Sequence, residues 1–333
     1  MRVLFQIRPD FITNPAGDSM QMLYTRRHLS SLGVEVDIST TFSQNYRGYD
    51  LVHLFNLTRV VETYAYAYKA YEQGIPIVLS TIYWDSSEYY MNNDLPDWKK
   101  KAWHQQDMLR RIVLSKASML LPNSQAEAEK IIKNFETEKP YHVVPNCVDS
   151  RFSQGNKDRF YQEYGLDQFA LCVGRISPRK NQLALIEALK GTGIKLVLIG
   201  PVNDREYGER CKKAGKENVV FIPGQSSAQL RDSYAAAAIH VLPSWFETPG
   251  LSNLEAAAAG CPIATTKYGC TQEYFGELAC YCLPDDIDSI RKAVLQGLEN
   301  DNGKKLQEHV LSNYTWDRAA EETLRAYKKV LEL

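Results

Sequence analysis

Residues 239–260 read IHVLPSWFETPGLSNLEAAAAG, and this stretch decides the fold. Its first four residues are mostly apolar and predict a short buried strand. Pro249-Gly250 then predicts a turn, and the alanine-rich run that ends at Gly260 predicts a helix. A strand that leads directly into a helix is the repeating unit of a parallel sheet covered by helices. The stretch therefore predicts an α/β protein.

The same alternation extends to both sides of this stretch. Further apolar runs predict strands at residues 170–173, 195–199, 219–222, 262–264 and 279–281. An earlier series predicts strands at residues 3–7, 34–38, 51–54, 77–80, 119–121 and 141–144. Helical or loop segments separate these strands, so each series predicts a doubly wound parallel sheet. Two such halves predict an interdomain cleft, where ligands usually bind.

The length of the chain supports two domains. Its 333 residues are 44% hydrophobic, which is enough apolar material for two cores. The final segment, residues 314–333, has apolar side chains at helical spacing and predicts a terminal helix. We expect one Rossmann-like domain at residues 1–147, joined by the terminal helix 316–333, and a second at residues 148–315.

Composition argues against several kinds of partner. The formal charge is -1 from 39 basic and 40 acidic residues, so no overall field favours nucleic acid. No stretch reaches the ~20 apolar residues that span a bilayer, and residues 1–10 are too charged for a signal peptide. Seven cysteines without a C-x-x-C pair and six dispersed histidines predict reduced thiols, no metal and no cofactor. We therefore expect a cytoplasmic protein.

A first candidate site follows the strand at residues 170–173, in the sequence CVGRISPRKN of residues 172–181. Gly174 frees the backbone at the end of the strand. Arg175 and Lys180 then place two cations close to a predicted helix N-terminus, an arrangement that suits a diphosphate. Considered alone, such a basic turn is more often a solvated loop.

A second candidate site lies in the opening stretch. Glu247 is in the loop after the strand, and Glu255 lies in the following helix. Between them, the amides at residues 250–252 are predicted at the helix N-terminus, where they can bind phosphate oxygens. A carboxylate accepts two hydrogen bonds from a vicinal diol, so two glutamates that flank an anion site match a sugar nucleotide. Each glutamate alone could equally be an ordinary loop or helix acid.

Together, these residues resemble the retaining GT-B glycosyltransferases of family 4. That family has two glutamates separated by seven residues, as Glu247 and Glu255 are, and a G-R-x-x-x-x-K-N segment, as at residues 174–181. The resemblance covers most of the C-terminal half. It implies transfer of a hexose-type sugar, with retention, from a nucleotide diphosphate sugar to a glycan, lipid-linked or small-molecule acceptor, without a metal ion.

Carried over residue by residue, the resemblance implies these roles. The catalytic residues would be Arg175, Lys180 and Glu247. The donor would be bound by Gly174, Gly200, Gly224, Gly250, Leu251, Ser252, Glu255 and Gly17.

The N-terminal half departs from the family pattern. The first loop has one glycine, Gly17, where the family often has a pair. The family's histidine after the strand at residues 77–80 is absent, so the acceptor side is predicted to use other residues of this half. They are Asp18, Tyr83, Trp84 and Asp85. His53 and His104 are further candidates in this half, but each is predicted to be an ordinary packed or surface histidine.

Residues 98–103, WKKKAW, allow two interpretations. A solvated helix is favoured, because clusters of three lysines are common. The alternative is peripheral contact with an anionic membrane or a lipid-linked acceptor, since tryptophan and lysine suit that interface. Two other functions also stay open: a non-catalytic nucleotide-sugar-binding subunit, and an epimerase or phosphorylase of the same architecture. The oligomeric state stays open as well.

Overall fold

The computed structural model describes residues 1–93, 95–300 and 302–333. The chain forms two compact units. The first contains Met1–Cys147 and Trp316–Leu333, and the second contains Val148–Thr315. Each unit is a parallel sheet with helices, so the predicted α/β class with two Rossmann-like sheets is confirmed.

The strands of both sheets are short. In the first unit they are β1 (Arg2–Gln6), β2 (Glu35–Ser39), β3 (Leu51–Phe55), β4 (Ile77–Ser80) and β5 (Met119–Leu121). In the second unit they are β6 (Ala170–Val173), β7 (Leu196–Ile199), β8 (Val219–Ile222), β9 (Ile239–Leu242), β10 (Ile263–Thr266) and β11 (Cys280–Cys282). The spatial orders are β2-β1-β3-β4-β5 and β11-β10-β9-β6-β7-β8, with all pairs parallel.

The helices follow the chain as α1 (Gly17–Ser31), α2 (Val60–Glu72), α3 (Ser87–Asn92), α4 (Asp97–Gln105), α5 (Asp107–Lys116), α6 (Gln125–Phe135), α7 (Lys157–Tyr164), α8 (Gln182–Leu189), α9 (Arg205–Ala214), α10 (Ser227–Ala236), α11 (Leu251–Ala258), α12 (Thr271–Phe275), α13 (Ile287–Glu299), α14 (Gly303–Asn313) and α15 (Trp316–Val330). Short 3-10 helices span Ser150–Gln154, Pro178–Lys180 and Gly276–Leu278.

Burial explains why the central strands have almost uninterrupted apolar sequences. Every residue of β3, β4, β6, β7 and β9 is buried, because helices cover both faces of each sheet. The predicted terminal helix is α15, which packs on α1 of the first unit. There the ring of Trp316 stacks on Tyr24 with centroids 5.0 Å apart.

Two local predictions were wrong. Residues 141–144 form a single bridge, from Tyr141 to Leu120 of β5, rather than a strand. Prolines 140 and 145 bound this segment and cannot donate to a ladder. The helix expected to begin near Lys180 begins instead at Gln182. Asn181 takes the left-handed conformation (φ 61°) and separates the 3-10 helix from α8.

The strand orders locate a switch point in each sheet. The chain runs outward in one direction from β1 and in the other from β3, and likewise from β6 and β9. In open parallel sheets, ligands bind outside the carboxyl ends of the strands at this switch point. The loops after β1 and β3, and those after β6 and β9, are therefore the places to look for a site.

Candidate functional site

The loop after β9 ends in an open helix N-terminus. Gly250, with φ 90°, directly precedes α11. A Cβ atom there would lie 3.0 Å from Leu242 Cδ2 and 3.2 Å from Glu247 Oε2, so a side chain would crowd both atoms, and the positive φ favours glycine. The first amides of a helix have no partner within the helix. Gly250, Leu251 and Ser252 therefore lie at the helix N-terminus, as predicted, and this arrangement suits an anion.

Glu247 lies next to this helix start in an ion pair with Lys180. The Lys180 ammonium donates a hydrogen bond to Glu247 Oε1, and Arg179 Nη1 is 3.8 Å from the same oxygen. Glu247 is only 5% exposed. Burial disfavours its charged form, but Lys180 and Arg179 outweigh that effect and hold the pKa of Glu247 below its usual value. The site therefore contains an ionised carboxylate and an ammonium in direct contact.

The turn after β6 brings Lys180 to this position. A Cβ atom at Gly174 would lie 3.7 Å from Lys180 Cε, so the lysine side chain passes directly over this glycine. Asn181 fixes the end of the turn, since its Nδ2 donates to Pro243 O at 3.1 Å and to Pro284 O at 2.7 Å. The loops after β6 and β9 are thereby joined at the switch point.

Arg175 lies in the same turn as Lys180. Its carbonyl oxygen accepts a hydrogen bond from Gln182 Nε2 at 2.9 Å, which ties the turn to the first residue of α8. The next residue, Ile176, bridges to Val202 in the loop after β7. The backbone of Arg175 is therefore held between two neighbouring loops at the sheet edge.

Gly200 and Gly224 follow the neighbouring strands β7 and β8. A Cβ atom at Gly200 would lie 2.2 Å from Gly174 O, so the two strand ends approach too closely for any larger residue. Gly224 lies near Pro201, whose Cδ would be 3.8 Å from an added Cβ. Both predicted glycines are thus at the same sheet edge as Lys180.

Gly269, in the loop after β10, was missed by the sequence analysis. The amide of Glu247 donates to Tyr268 O at 3.2 Å, and the amide of Cys270 donates to Glu247 O at 2.8 Å. A Cβ atom at Gly269 would lie 1.9 Å from Glu247 O. Gly269 has φ 109°, which favours glycine. The backbone of Glu247 is therefore clamped by a second loop, and Gly269 is the residue that permits it.

Glu255 is half-buried in the second turn of α11. Its Oε2 accepts a hydrogen bond from the Tyr234 hydroxyl of α10 at 2.8 Å. Burial raises the pKa of Glu255 to about 7, although Tyr234 favours the ionised form. Tyr234 was also missed, because its spacing in the sequence is that of an ordinary core residue.

In the first unit, Gly17 is exposed at the start of α1, and Asp18 is buried. Asp18 forms a two-pronged pair with Arg8, from Nε at 2.7 Å and from Nη2 at 2.9 Å. Asn56 Nδ2 also donates to Asp18, at 3.0 Å. Burial opposes ionisation, but Arg8 keeps the pKa of Asp18 below its usual value. Asp18 is therefore an ionised group with internal partners.

The other predicted acceptor-side residues follow β4. Tyr83 is buried, its ring stacks on Trp103, and burial raises its pKa to about 12. Trp84 is half-buried, with Lys130 Nζ 5.1 Å from its ring centroid. Asp85 is half-buried and accepts hydrogen bonds from Ser87 and from Asn134 Nδ2, the latter at 3.0 Å. Trp84 and Asp85 therefore retain solvent contact, whereas Tyr83 does not.

Glu127, at the start of α6, organises this loop. It is fully buried and accepts hydrogen bonds from Thr81 Oγ1, from the Tyr83 amide at 2.8 Å and from the Asn123 amide at 3.0 Å. Burial raises the pKa of Glu127 to about 7. Nothing in the sequence marked this glutamate, because the pattern of α6 is that of an ordinary amphipathic helix.

The two histidines of this half are placed as predicted. His53 is buried, with Nδ1 2.5 Å from Tyr327 Oη and Nε2 2.8 Å from Ser80 Oγ. Burial lowers the pKa of His53 to about 3, so it is neutral. His104 is exposed on α4. On the same helix, Trp98 is 66% exposed and Trp103 is buried.

The described residues contain neither a cluster suited to a metal ion nor a helix that could span a membrane. In residues 1–93, 95–300 and 302–333, no group of three or more His, Cys, Asp or Glu side chains is placed to hold a metal ion. Over the same ranges, no helix combines the length and the apolar character needed to cross a membrane.

Comparison with known sequences connects this geometry to a family. Residues 154–315 match the family model described as glycosyl transferases group 1. The chain is 29% identical to an uncharacterized glycosyltransferase of Methanocaldococcus jannaschii over 235 residues, which cover 63% of this chain and 60% of that protein. It is 31% identical to D-inositol 3-phosphate glycosyltransferase of Segniliparus rotundus over 175 residues, or 47% and 38% of the two chains. The chain thus spans less than two thirds of the length of these relatives.

Solved structures extend the likeness to the whole chain. Sucrose-phosphate synthase of Thermosynechococcus elongatus superposes with a TM-score of 0.82 at 16% identity, covering 99% of each chain. Anabaena HepE, solved in complex with UDP and glucose, gives a TM-score of 0.76 at 16% identity, covering 98% of this chain and 99% of that one. Identities this low establish the fold alone. Over residues 154–315, which lie in its second unit, the chain is similar to the glycosyl transferases group 1 family, and its fold is GT-B.

Proposed function

We propose that this protein transfers a hexose-type sugar from a nucleotide diphosphate sugar to an acceptor hydroxyl, with retention of the anomeric configuration. The observation that carries the proposal is the position of Lys180. Its ammonium is held by Glu247 directly beside the start of α11, at the switch point of the second sheet. A diphosphate bound there would meet both the ammonium and the open amides of the helix.

The donor would lie along the carboxyl edge of the second sheet. Lys180 and Arg175 would contact the diphosphate, together with the amides of residues 250–252. Glu255 would accept hydrogen bonds from the ribose hydroxyls, and Glu247 from hydroxyls of the transferred sugar. Gly174, Gly200 and Gly224 would let the backbone approach the nucleotide. Gly17 would contribute from the first unit.

The catalytic role of the cations follows from where charge develops. As the bond between the anomeric carbon and the phosphate oxygen breaks, negative charge accumulates on the β-phosphate. Lys180, Arg175 and the helix amides would stabilise that charge more in the transition state than in the bound substrate. The acceptor oxygen forms the new bond on the same face, and its proton passes to the departing phosphate oxygen. We assign charge stabilisation to these groups.

The acceptor is proposed to contact the first unit. Trp84 and Asp85 are half-buried at the carboxyl edge of its sheet and offer an aromatic face and a carboxylate, which suit a sugar. Asp18 and Tyr83 lie at the same edge but are buried. We propose a glycan, a lipid-linked sugar or a small molecule as acceptor. Anabaena HepE was solved with UDP and glucose, which makes UDP-glucose the first donor to test here.

The test is turnover of the Lys180→Ala and Arg175→Ala variants. Sugar nucleotides are first screened by thermal shift and by release of nucleoside diphosphate in the presence of candidate acceptors. Each variant is expected to lose at least ~100-fold in turnover, as for removal of one charge-stabilising donor. Lys190→Ala is the matched control, because Lys190 is an exposed lysine of the same unit that pairs with Glu187. Turnover of Lys180→Ala at the wild-type rate would refute the assignment.

The same assay separates the two other functions. A non-catalytic subunit would bind a donor but release no nucleoside diphosphate with any acceptor. An epimerase would convert the sugar nucleotide without an added acceptor, and a phosphorylase would transfer a sugar to inorganic phosphate. Retention is tested by the NMR coupling constant of the new anomeric proton, and an inverted product would exclude it.

A further inference from the structure

Tyr234 contacts Glu255 from a position that no ligand reaches. Its hydroxyl lies 2.8 Å from Glu255 Oε2, while the residue itself is only 1% exposed. The ring is held edge-on between Phe152 and His240, at centroid distances of 5.9 and 5.6 Å. The hydroxyl therefore has a fixed direction, towards the carboxylate.

The hydrogen bond leaves part of the carboxylate available. A carboxylate has two oxygens and about four lone-pair positions. Within residues 1–93, 95–300 and 302–333, the one side-chain hydrogen bond shown for Glu255 uses a single position on Oε2. Oε1 and the rest of Oε2 can therefore accept from two neighbouring hydroxyl groups.

We propose that Tyr234 is a positioning residue that orients Glu255 and favours its ionised form for the ribose hydroxyls of the donor. This inference rests on the proposed function, in which Glu255 contacts the ribose. Tyr234 does not touch the donor in this arrangement. It acts through Glu255, by fixing one oxygen and by favouring the charged form that accepts two hydrogen bonds.

The Tyr234 hydroxyl is the donor in its hydrogen bond to Glu255, and this supports the proposed role. Burial, together with the negative charge of Glu255, raises the pKa of Tyr234 well above its usual value, so the hydroxyl keeps its proton and is the donor. Burial raises the pKa of Glu255 to about 7, and the hydrogen bond from Tyr234 opposes that rise. Removal of the hydroxyl would raise the pKa of Glu255 further and leave it largely protonated at pH 7.

Several titratable side chains lie on the elements packed against α11. The elements packed against it are α10, α14, β9, β10 and the 3-10 helix Ser150–Gln154. Their titratable or charged side chains are Arg151, Arg231, Asp232, Tyr234, His240, Lys304, Lys305, Glu308 and His309. His240 is buried, which lowers its pKa to about 3, so it is neutral. The electrostatic influence resolved on Glu255 besides burial is that of Tyr234.

The experiment measures nucleotide affinity at two pH values. The probe is whichever of UDP, GDP and ADP binds the wild-type protein most tightly by calorimetry. Tyr234→Phe is expected to weaken binding roughly ten- to 100-fold at pH 7, as for loss of a hydrogen bond to a charged group. At pH 9 the carboxyl is ionised in both proteins, so the difference should fall below about twofold. Comparison at equal pH cancels the titration of the probe itself.

Two further variants complete the design. Tyr281→Phe removes a hydroxyl that donates to Gly276 O at 2.7 Å elsewhere in the second unit, and it should bind like wild type at both pH values. Glu255→Gln should bind weakly at both, because it cannot ionise.

The outcomes separate the positioning role of Tyr234 from the ribose contact of Glu255. Equal affinity of Tyr234→Phe and wild type at pH 7 would overturn the positioning role. An equal loss at pH 7 and pH 9 would overturn the role of Tyr234 in favouring the charged form, since the effect of protonation should disappear at pH 9. Wild-type affinity of Glu255→Gln would refute the ribose contact, and with it this part of the proposed function.

Discussion

The two units place an ion pair at the same topological position, but they use it differently. At the switch point of the first sheet, Arg8 pairs with Asp18, and both side chains are 3% exposed. At the switch point of the second sheet, Lys180 pairs with Glu247, and the side chains are 14% and 7% exposed. In each pair, the cation follows a central strand, and the carboxylate lies at or shortly before the start of a helix.

The difference lies in how many hydrogen-bonding positions the pair leaves unused. The guanidinium of Arg8 donates to Asp10, Asn14 O, Asp18 and Ser19, and Asp18 also accepts from Asn56. An ammonium has three donors, and within the described part of the chain Lys180 is shown to use one of them, towards Glu247. An ion pair at a switch point is therefore not by itself a site. We assign the candidate site to the pair of Lys180 and Glu247, because the ammonium still has hydrogen-bond donors that a ligand can use.

The largest expected effect is on stability, in the first unit. Asp18→Ala leaves the Arg8 guanidinium buried without its main partner, which should lower the free energy of unfolding by about 3–5 kcal/mol. Asp317→Ala is the control, because Asp317 is an exposed partner of His28 in the same unit and should cost at most about 1 kcal/mol. Urea unfolding measures both. A loss below about 1 kcal/mol for Asp18→Ala would mean that Arg8 does not depend on Asp18 as its buried partner, and the contrast between the two pairs would not hold.

The next effect is on turnover, in the second unit. Gly269→Ala would place a Cβ atom 1.9 Å from Glu247 O and displace that residue from Lys180. A misplacement of about 1 Å at a reacting centre can cost about 100-fold in rate, and we expect a loss of that size in donor turnover.

Gly276→Ala is the matched control for that variant. Gly276 also has a positive φ, at 50°, but an added Cβ meets no atom within 4 Å. Its backbone strain is thus comparable and its steric effect is absent. If the two variants lose turnover equally, the loss reflects strain in the backbone, and the clamp on Glu247 is not the cause.

Much of the fold could be predicted because the strands are buried on both faces. Such strands are short apolar runs, and those at residues 77–80, 119–121, 170–173, 219–222 and 239–242 were predicted with the observed bounds. The segment at residues 141–144 has the same apolar character but only one bridge to β5. Apolar composition indicates that a segment is buried. To form a strand, the segment must also pair with a neighbouring strand of matching length.

The candidate site was predictable only where function leaves a mark on residue type. Glu247, Glu255, Lys180 and Gly174 stood out because their spacing resembles two motifs of a known family, although each residue alone is ordinary in a loop or helix. Tyr234 and Glu127 did not, since a tyrosine and a glutamate are ordinary residues in amphipathic helices. Their importance comes from partners 21 and 46 residues away, Glu255 and Thr81 respectively, which only the fold brings together.

The smallest expected effect concerns Glu127, a buried carboxyl of the first unit that shares a raised pKa with Glu255. Burial raises the pKa of both carboxyls to about 7, above their usual 4.5. The folded protein therefore binds more protons than the unfolded chain between pH 4.5 and pH 7, and stability falls as pH rises through this window. For Glu127 the loss should be about 1 kcal/mol between pH 6 and pH 7.5.

Glu127→Gln cannot titrate. Its free energy of unfolding, measured with urea, should therefore fall by about 1 kcal/mol less than that of wild type between pH 6 and pH 7.5. Glu129→Gln removes an exposed carboxylate from the same helix and should leave the pH dependence as in wild type. Because the oxygens of Glu127 are committed to Thr81, Tyr83 and Asn123, its protonation should leave nucleotide affinity unchanged. A pH-dependent change of affinity that Glu127→Gln removes would show instead that this acid senses the ligand, and the contrast between the two units would then not hold for buried glutamates.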